Sequence, residues 1–303
     1  MLFKGCGTAL VTPFRPDSSL DENALRRLVR RQVEAGIDFL VPCGTTGENP
    51  TLAPEEHLRV VAITVEEAKP AGIPVLAGAG GYNTLEVAER AKECEKLGAD
   101  GILSVTPYYN KPTPEGLYQH YKTIAARTSL PIVVYNVPGR TGLNVDPATL
   151  KRLAEIDSVV GVKEASGNIV QQAAIISRLP ERFAVLAGDD AIAVALIALG
   201  GRGLISVASN EIPAEMTRMV RLAMDGDFRS ARELYYRYLP LLEVNFCETS
   251  PMPVKAAMAM MGLLEPVWRL PMVPPKPESI ARIRGVLENL GLLAAGTPAR
   301  ASE

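Results

Sequence analysis

The fold class the sequence predicts is α/β, a closed (β/α)₈ barrel with a C-terminal helical appendage, and three observations predict it. Short β-branched runs alternate with longer stretches of helical period up to about Asp225, and eight such runs can be counted. The first strand-to-helix turn carries no G-x-G-x-x-G, and nothing marks a reversal of strand order, which favours a closed barrel over an open sheet. Beyond Asp225 the alternation gives way to three helical segments joined by Pro-rich links. A length of 303 residues suits one large barrel plus an appendage, with two separate domains as the other arrangement it allows. The expected division is a barrel catalytic domain over 1–225, a helical domain over 226–293 and a small, polar, disordered tail over 294–303.

In chain order the strands are expected at 6–11, 37–42, 74–79, 101–105, 132–136, 159–163, 184–187 and 204–207. The first helix, 22–35, places Leu25, Leu28, Val29 and Val33 at helical spacing and so presents one apolar stripe to the sheet. Its arginine-rich remainder reads as a solvated face. Start signals mark the helices: Ser19 three residues before Glu22, Asn83 three before Glu86, Thr113 before Pro114 and Asp146 before Pro147. The phrases AGIDFLV at Ala35, AGIPVLA at Ala71 and LGADGIL at Leu97 repeat one βα module, each with a Gly near the helix end. The appended helices are expected at 228–244, 252–261 and 278–290.

Composition narrows the function classes. With 47% hydrophobic and 22% charged residues, disorder and disulfide-held mini-proteins are excluded. Lys+Arg total 32 against 34 Asp+Glu, a net charge of -2, which lacks the basic excess needed to neutralise a phosphate backbone; no nucleic-acid partner is expected. Apolar runs are strand-sized, far short of the ~20 residues that span a bilayer, so no membrane partner is expected either. Gly5, Gly7 and Pro13 interrupt any secretory h-region, and Cys6, Cys43, Cys94 and Cys247 are scattered without a C-x-x-C pair. These features read as a cytoplasmic protein with free thiols. Cys6 and Cys43 lie in apolar runs and read as core.

In such a barrel the active site collects at the C-terminal ends of the strands. Four ends stand out: GTTGE at 44–48, TPYYNKP at 106–112, YNVPGRTG at 135–142 and GVKEASG at 161–167. Of ten lysines, Lys163 alone sits inside a strand-like apolar run. A free lysine with a pKa near 10.4 is only about 0.04% neutral at pH 7, and desolvation raises that fraction steeply. A buried strand-end lysine is therefore a candidate for imine formation with a carbonyl substrate. Taken alone, the Lys163–Glu164 pair also fits a strand emerging into water. Tyr135 ends the preceding strand, where its phenol can carry protons for Lys163, although an isolated tyrosine there would also suit a core. Thr45 and Thr46, flanked by Gly44 and Gly47, offer hydroxyls and backbone N–H groups to a carboxylate, or form an ordinary glycine turn. Arg140, in a loop held by Pro138, Gly139 and Gly142, sets a guanidinium fork near the same mouth, or makes a surface salt bridge. His57 and His120 are the two histidines, too few for a zinc centre, and no metal or other cofactor is expected. GAGG at 78–81 has no P-loop lysine and reads as a close turn.

The motifs GTTGE, TPYYNKPTPEGLYQHY, YNVPGRTG, GVKEASGN and GDDA, in this order over about 3–293, resemble the 4-hydroxy-tetrahydrodipicolinate (dihydrodipicolinate) synthase family, within the pyruvate-dependent lyase superfamily. The resemblance implies a (β/α)₈ barrel, a homotetramer of two tight dimers, and condensation of pyruvate with L-aspartate 4-semialdehyde in lysine and diaminopimelate biosynthesis. It further implies that Lys163 forms the Schiff base and Tyr135 shuttles protons. Thr46 and Tyr109 would complete the relay, with Tyr109 reaching across the tight dimer. Thr45 and Thr46 would hold the pyruvate carboxylate, Arg140 the semialdehyde, and Gly188 and Ile205 would add main-chain contacts.

A second polar pocket at the tight-dimer interface is also implied, matched here by His57, Glu86 and Tyr108. Pro50, Pro54 and Tyr82 depart from the usual residues there: Pro54 has no side-chain donor and Tyr82 is bulky, so weak or absent inhibition by lysine is expected. Two other functions compete. One is a sister lyase cleaving a 2-keto-3-deoxy sugar acid, 4-hydroxy-2-oxoglutarate or N-acetylneuraminate, which would share Lys163 and Tyr135 but not Arg140. The other is a catalytically silent barrel that binds small molecules.

Overall fold

The structure, a computed structural model, describes residues 2–293; the expected tail at 294–303 lies outside the described residues. Eight strands form: β1 (Gly5–Ala9), β2 (Phe39–Val41), β3 (Leu76–Gly78), β4 (Gly101–Val105), β5 (Ile132–Asn136), β6 (Val159–Glu164), β7 (Ala184–Ala187) and β8 (Gly203–Ser206). All pair in parallel in the order β2-β1-β8-β7-β6-β5-β4-β3. A parallel bridge between Leu40 and Val75, with Leu40 N donating to Pro74 O at 2.9 Å, brings β2 to β3 and closes the barrel.

Two strands are shorter than their apolar runs for reasons the hydrogen bonds supply. β2 stops before Pro42, which has no N–H to continue the ladder, and Pro42 O instead accepts from Gly78 N at 2.9 Å. β1 stops before Val11 because Val11 N donates to the Asn210 side chain at 3.2 Å.

The helix Glu22–Glu34 is capped by Asp21, whose carboxylate accepts from Ala24 N at 2.9 Å, and not by Ser19 as the spacing suggested. Ser19 is already engaged, its N–H and hydroxyl both donating to Asp17. The other three start signals hold, with Asn83, Thr113 and Asp146 each accepting from the first turn of the helix that follows. Gly36 and Gly98, in the repeated phrases, take φ of 75° and 86°, the left-handed turn that ends each helix and feeds the next strand.

Alternation along the strands sorts side chains to two faces. Outward residues such as Cys6, Leu40, Ile102, Val134 and Val162 pack under the helices. Inward residues fill the barrel: Phe3 and Phe39, edge to face at 5.7 Å between centroids, plug the end where the strands begin, and Leu103, Val133, Leu186 and Ile205 continue the filling. The opposite end is left to polar side chains.

The appended helices are Phe228–Val244, Met252–Met260 and Pro277–Asn289. The first packs on Pro213–Met224 and on Ala193–Ala198, while Pro277–Asn289 packs on both of the others. Among the described residues, no helix is long and apolar enough to cross a membrane. All four cysteines are free thiols, and Cys6 and Cys43 are core residues.

Candidate active site

The parallel register sets Tyr135 of β5 opposite Lys163 of β6, and Asn136 opposite Glu164. Because successive residues point to opposite faces, the first pair turns into the barrel mouth and the second turns outward under the helices. The outward pair acts as a clamp. Glu164, fully buried, accepts from Asn136 Nδ2 at 2.7 Å and Ser166 N at 2.8 Å, and Asn136 Oδ1 accepts from Val145 N at 3.0 Å. Both ends of the segment that carries Arg140 are thereby fixed to the strands that carry Tyr135 and Lys163.

Lys163 is 5% exposed, and its Nζ lies 4.4 Å from the centroid of the Tyr135 ring. A strand emerging into water is therefore the wrong description of the Lys163–Glu164 pair. Burial lowers the Lys163 pKa to about 8; the Asp190 carboxylate opposes that shift and the Arg140 guanidinium adds to it. Relative to an ordinary lysine, a value near 8 makes about 200-fold more of the amine neutral at pH 7. Burial raises the Tyr135 phenol, opposed by the Arg140 charge and by a hydrogen bond with the Thr45 side chain. The phenol thus remains protonated and able to donate.

Thr45 and Thr46 follow β2 in a turn closed by Gly47 N donating to Gly44 O and Glu48 N donating to Thr45 O, both at 3.1 Å. Thr46 is buried. Arg140 lies in a short helical turn, Pro138–Thr141, and not in an open loop. Pro138 starts that turn and Gly142 ends it at φ 67°, while Arg140 Nη2 donates to Ser250 O at 3.0 Å. Its partner is a main-chain carbonyl of the appended segment, so the surface salt bridge is not what forms. A cleft of about 220 Å³ is lined by Gly44, Thr45, Tyr108, Tyr135, Val137 and Arg140 among others.

Gly188 follows β7, where an added Cβ would collide with Ala165 Cβ at 2.6 Å and press on Lys163 Cε at 3.1 Å. Ile205 belongs to the same inner cluster as Tyr135. Tyr109 is not brought to Lys163 within the chain: it is 91% exposed at φ 67°. His57 is buried, its Nε2 2.7 Å from Gly78 O, and burial lowers its pKa to about 4. Tyr108 meets Tyr82 edge to face at 5.1 Å, and burial raises its phenol, with the Glu86 charge a smaller contribution in the same direction. Arg90, which the motifs did not single out, exerts its charge on both His57 and Tyr108.

Three further site features escaped the motif reading. Asp190, in the GDDA phrase, is buried and accepts from Ser206 Oγ and Val207 N. Ser250 carries the carbonyl that holds Arg140. Lys255 is a second fully buried lysine, paired with Glu48 of GTTGE; its apolar surroundings, PVKAAM, were the available signal.

Among the described residues, no group of three or more His, Cys, Asp or Glu is placed to hold a metal ion. The model of the dihydrodipicolinate synthetase family matches residues 2–290. A 4-hydroxy-tetrahydrodipicolinate synthase from Koribacter versatilis is 51% identical over 301 residues, covering 99% of this chain and 100% of the relative. The crystal structure of dihydrodipicolinate synthase from Thermotoga maritima has a TM-score of 0.94 and 45% identity, covering 97% of this chain and 100% of its own. The chloride-inhibited enzyme from Acinetobacter baumannii, solved in complex with pyruvate, has a TM-score of 0.94 and 42% identity, covering 96% and 99%. Strand register, buried amine and relatives at half identity converge, and the chain belongs to the dihydrodipicolinate synthetase family.

Proposed function

We propose that this protein is a lyase that condenses pyruvate with L-aspartate 4-semialdehyde through a Schiff base on Lys163, giving 4-hydroxy-tetrahydrodipicolinate for diaminopimelate and lysine biosynthesis. The observation that carries the reading is the buried Lys163 amine, its pKa lowered to about 8, beside the Tyr135 ring at the end of the neighbouring strand. The neutral amine adds to the C2 carbonyl of pyruvate, and the Tyr135 phenol supplies the proton with which the carbinolamine loses water. The imine nitrogen then accepts the electron pair released when a methyl proton leaves, and the resulting enamine attacks the aldehyde carbon of the second substrate. Attack of the adduct's amino group on the imine carbon closes the ring and frees Lys163.

Within this scheme Thr45 and Thr46 hold the pyruvate carboxylate, and Thr46 and Tyr109 complete the proton relay. Arg140, fixed by Ser250 O, grips the semialdehyde carboxylate; Gly188 and Ile205 add main-chain contacts near Lys163. Exposure of Tyr109 at 91%, with Tyr82, whose carbonyl accepts from Asn110 Nδ2, and Leu85 also exposed, supports a tight dimer in which Tyr109 enters the neighbouring copy's site, and two such dimers form the homotetramer. The free thiols and a net charge of -2 suit a cytoplasmic enzyme. Residues 1–225 form its catalytic barrel and 226–293 its helical domain. His57, Glu86 and Tyr108 form the regulatory pocket, and lysine inhibits weakly or not at all because Tyr82 packs against Tyr108 there, Pro54 supplies no donor side chain and Pro50 departs from the usual residue.

Turnover with the two substrates tests the reading. Pyruvate and aspartate semialdehyde are expected to be consumed together, with no retro-aldol cleavage of keto-deoxy sugar acids or N-acetylneuraminate. Cleavage of those acids without the condensation would transfer the chain to a sister activity.

A further inference from the structure

The turn at residues 44–48 presents Thr45 and Thr46, yet it leaves by an unfavourable route. Its last residue, Glu48, is a non-glycine residue at φ 53°, a left-handed conformation that persists only where the surroundings hold it. The contact that holds it comes from the other end of the sequence. The buried Glu48 carboxylate lies 2.5 Å from Lys255 Nζ, in the appended helix Met252–Met260, and its second oxygen accepts from Arg269 N at 3.3 Å. Lys255 Nζ also lies 4.5 Å above the Phe14 ring, and the Arg269 guanidinium stands 4.1 Å from the same ring. Arg269 in turn donates to Ser18 O, Thr51 O and Glu56. The segments that follow β1 and β2 are thus tied to one pair of cations in the appendage.

A buried ion pair contributes little net stability relative to apolar residues of the same volume, but its geometric demand is strict. We propose that Glu48 and Lys255 are positioning residues: their pair fixes the turn of residues 44–48 so that Thr45 and Thr46 meet the pyruvate carboxylate. The appended helix thereby sets the pyruvate subsite of the barrel. This inference rests on the pyruvate-condensing reading above.

The test is steady-state kinetics of the double variant E48Q/K255M, which removes both charges together, alongside E48D, which keeps the pair but shortens its reach. Each is measured with wild type by borohydride trapping of pyruvate and by KM for both substrates. The expected result is a rise of about tenfold or more in the pyruvate KM and a matching slowing of trapping, with the semialdehyde KM within about twofold of wild type. If the double variant does not fold, E48D carries the same expectation. A folded variant with wild-type pyruvate KM, or one in which both KM values rise alike, overturns the positioning role. Wild-type protein that traps no pyruvate would instead overturn the underlying reaction, a separate outcome.

Discussion

At the scale of single residues, the chemistry depends on how far burial outweighs charge at Lys163. Removal from water lowers its pKa to about 8, and the Asp190 charge opposes that shift. On the proposed mechanism, imine formation is expected to rise with pH up to about 8 and level above it, because only the neutral amine attacks. Asp190→Asn removes the opposing charge and is expected to move that rise to lower pH, read as the pyruvate-trapping rate against pH. A profile that stays put or moves upward would contradict the opposing charge assigned to Asp190. Lys163 and Tyr135 were legible in sequence because each ends an apolar run, and strand ends are where a barrel gathers its chemistry. Asp190, Lys255 and Ser250 were not, since their roles arise from contacts between segments far apart in the chain.

At the scale of elements, the joints between barrel and appendage are polar as well as apolar. Glu211, just after β8, is buried and meets Asn245 Nδ2, at the end of the helix Phe228–Val244, at 2.5 Å. Burial pushes its carboxyl well above the ordinary range, against smaller opposing effects from Asn245 and Arg31. With the folded pKa raised, the unfolded chain releases a proton that the folded chain keeps as pH rises past the usual carboxylate range, so this residue costs stability towards neutral pH. Glu211→Gln keeps the shape without the titration. Its melting temperature is expected to match wild type near pH 4 and to exceed it increasingly towards pH 8; an equal shift at every pH would contradict the account. The eight strands and three appended helices were readable from periodicity, but where each stopped was decided by single hydrogen bonds, as at Val11, or by missing ones, as at Pro42. The Ser19 expectation failed in the same way, because Asp17 had already taken its hydroxyl.

At the scale of the whole molecule, two buried imidazoles lower tolerance of mild acid, against the opposite effect of Glu211. Burial lowers both His57 and His120 to about 4, so each stays neutral in the fold while it gains a proton in the unfolded chain below pH 6.5. Stability from these groups is present above about pH 6.5 and is lost as pH falls towards 4. Between pH 6.5 and 5 the slope for each histidine grows from about 0.7 to about 1.2 kcal/mol per pH unit as the unfolded imidazole takes up its proton. Denaturant unfolding of His120→Gln should show a slope lower than wild type by about 1 kcal/mol per pH unit in that window, with Glu211 acting in the opposite direction in both proteins; an unchanged slope would mean that His120 titrates in the folded protein as it does in water.

The proposed mechanism requires one covalent bond between Lys163 and a 2-oxo acid, and borohydride reduction in the presence of pyruvate, followed by peptide mass analysis, observes it directly. The expected result is a single stoichiometric adduct on the peptide containing Lys163, absent from Lys163→Ala and formed more slowly by Tyr135→Phe. An adduct on another lysine, or none at saturating pyruvate, would contradict it.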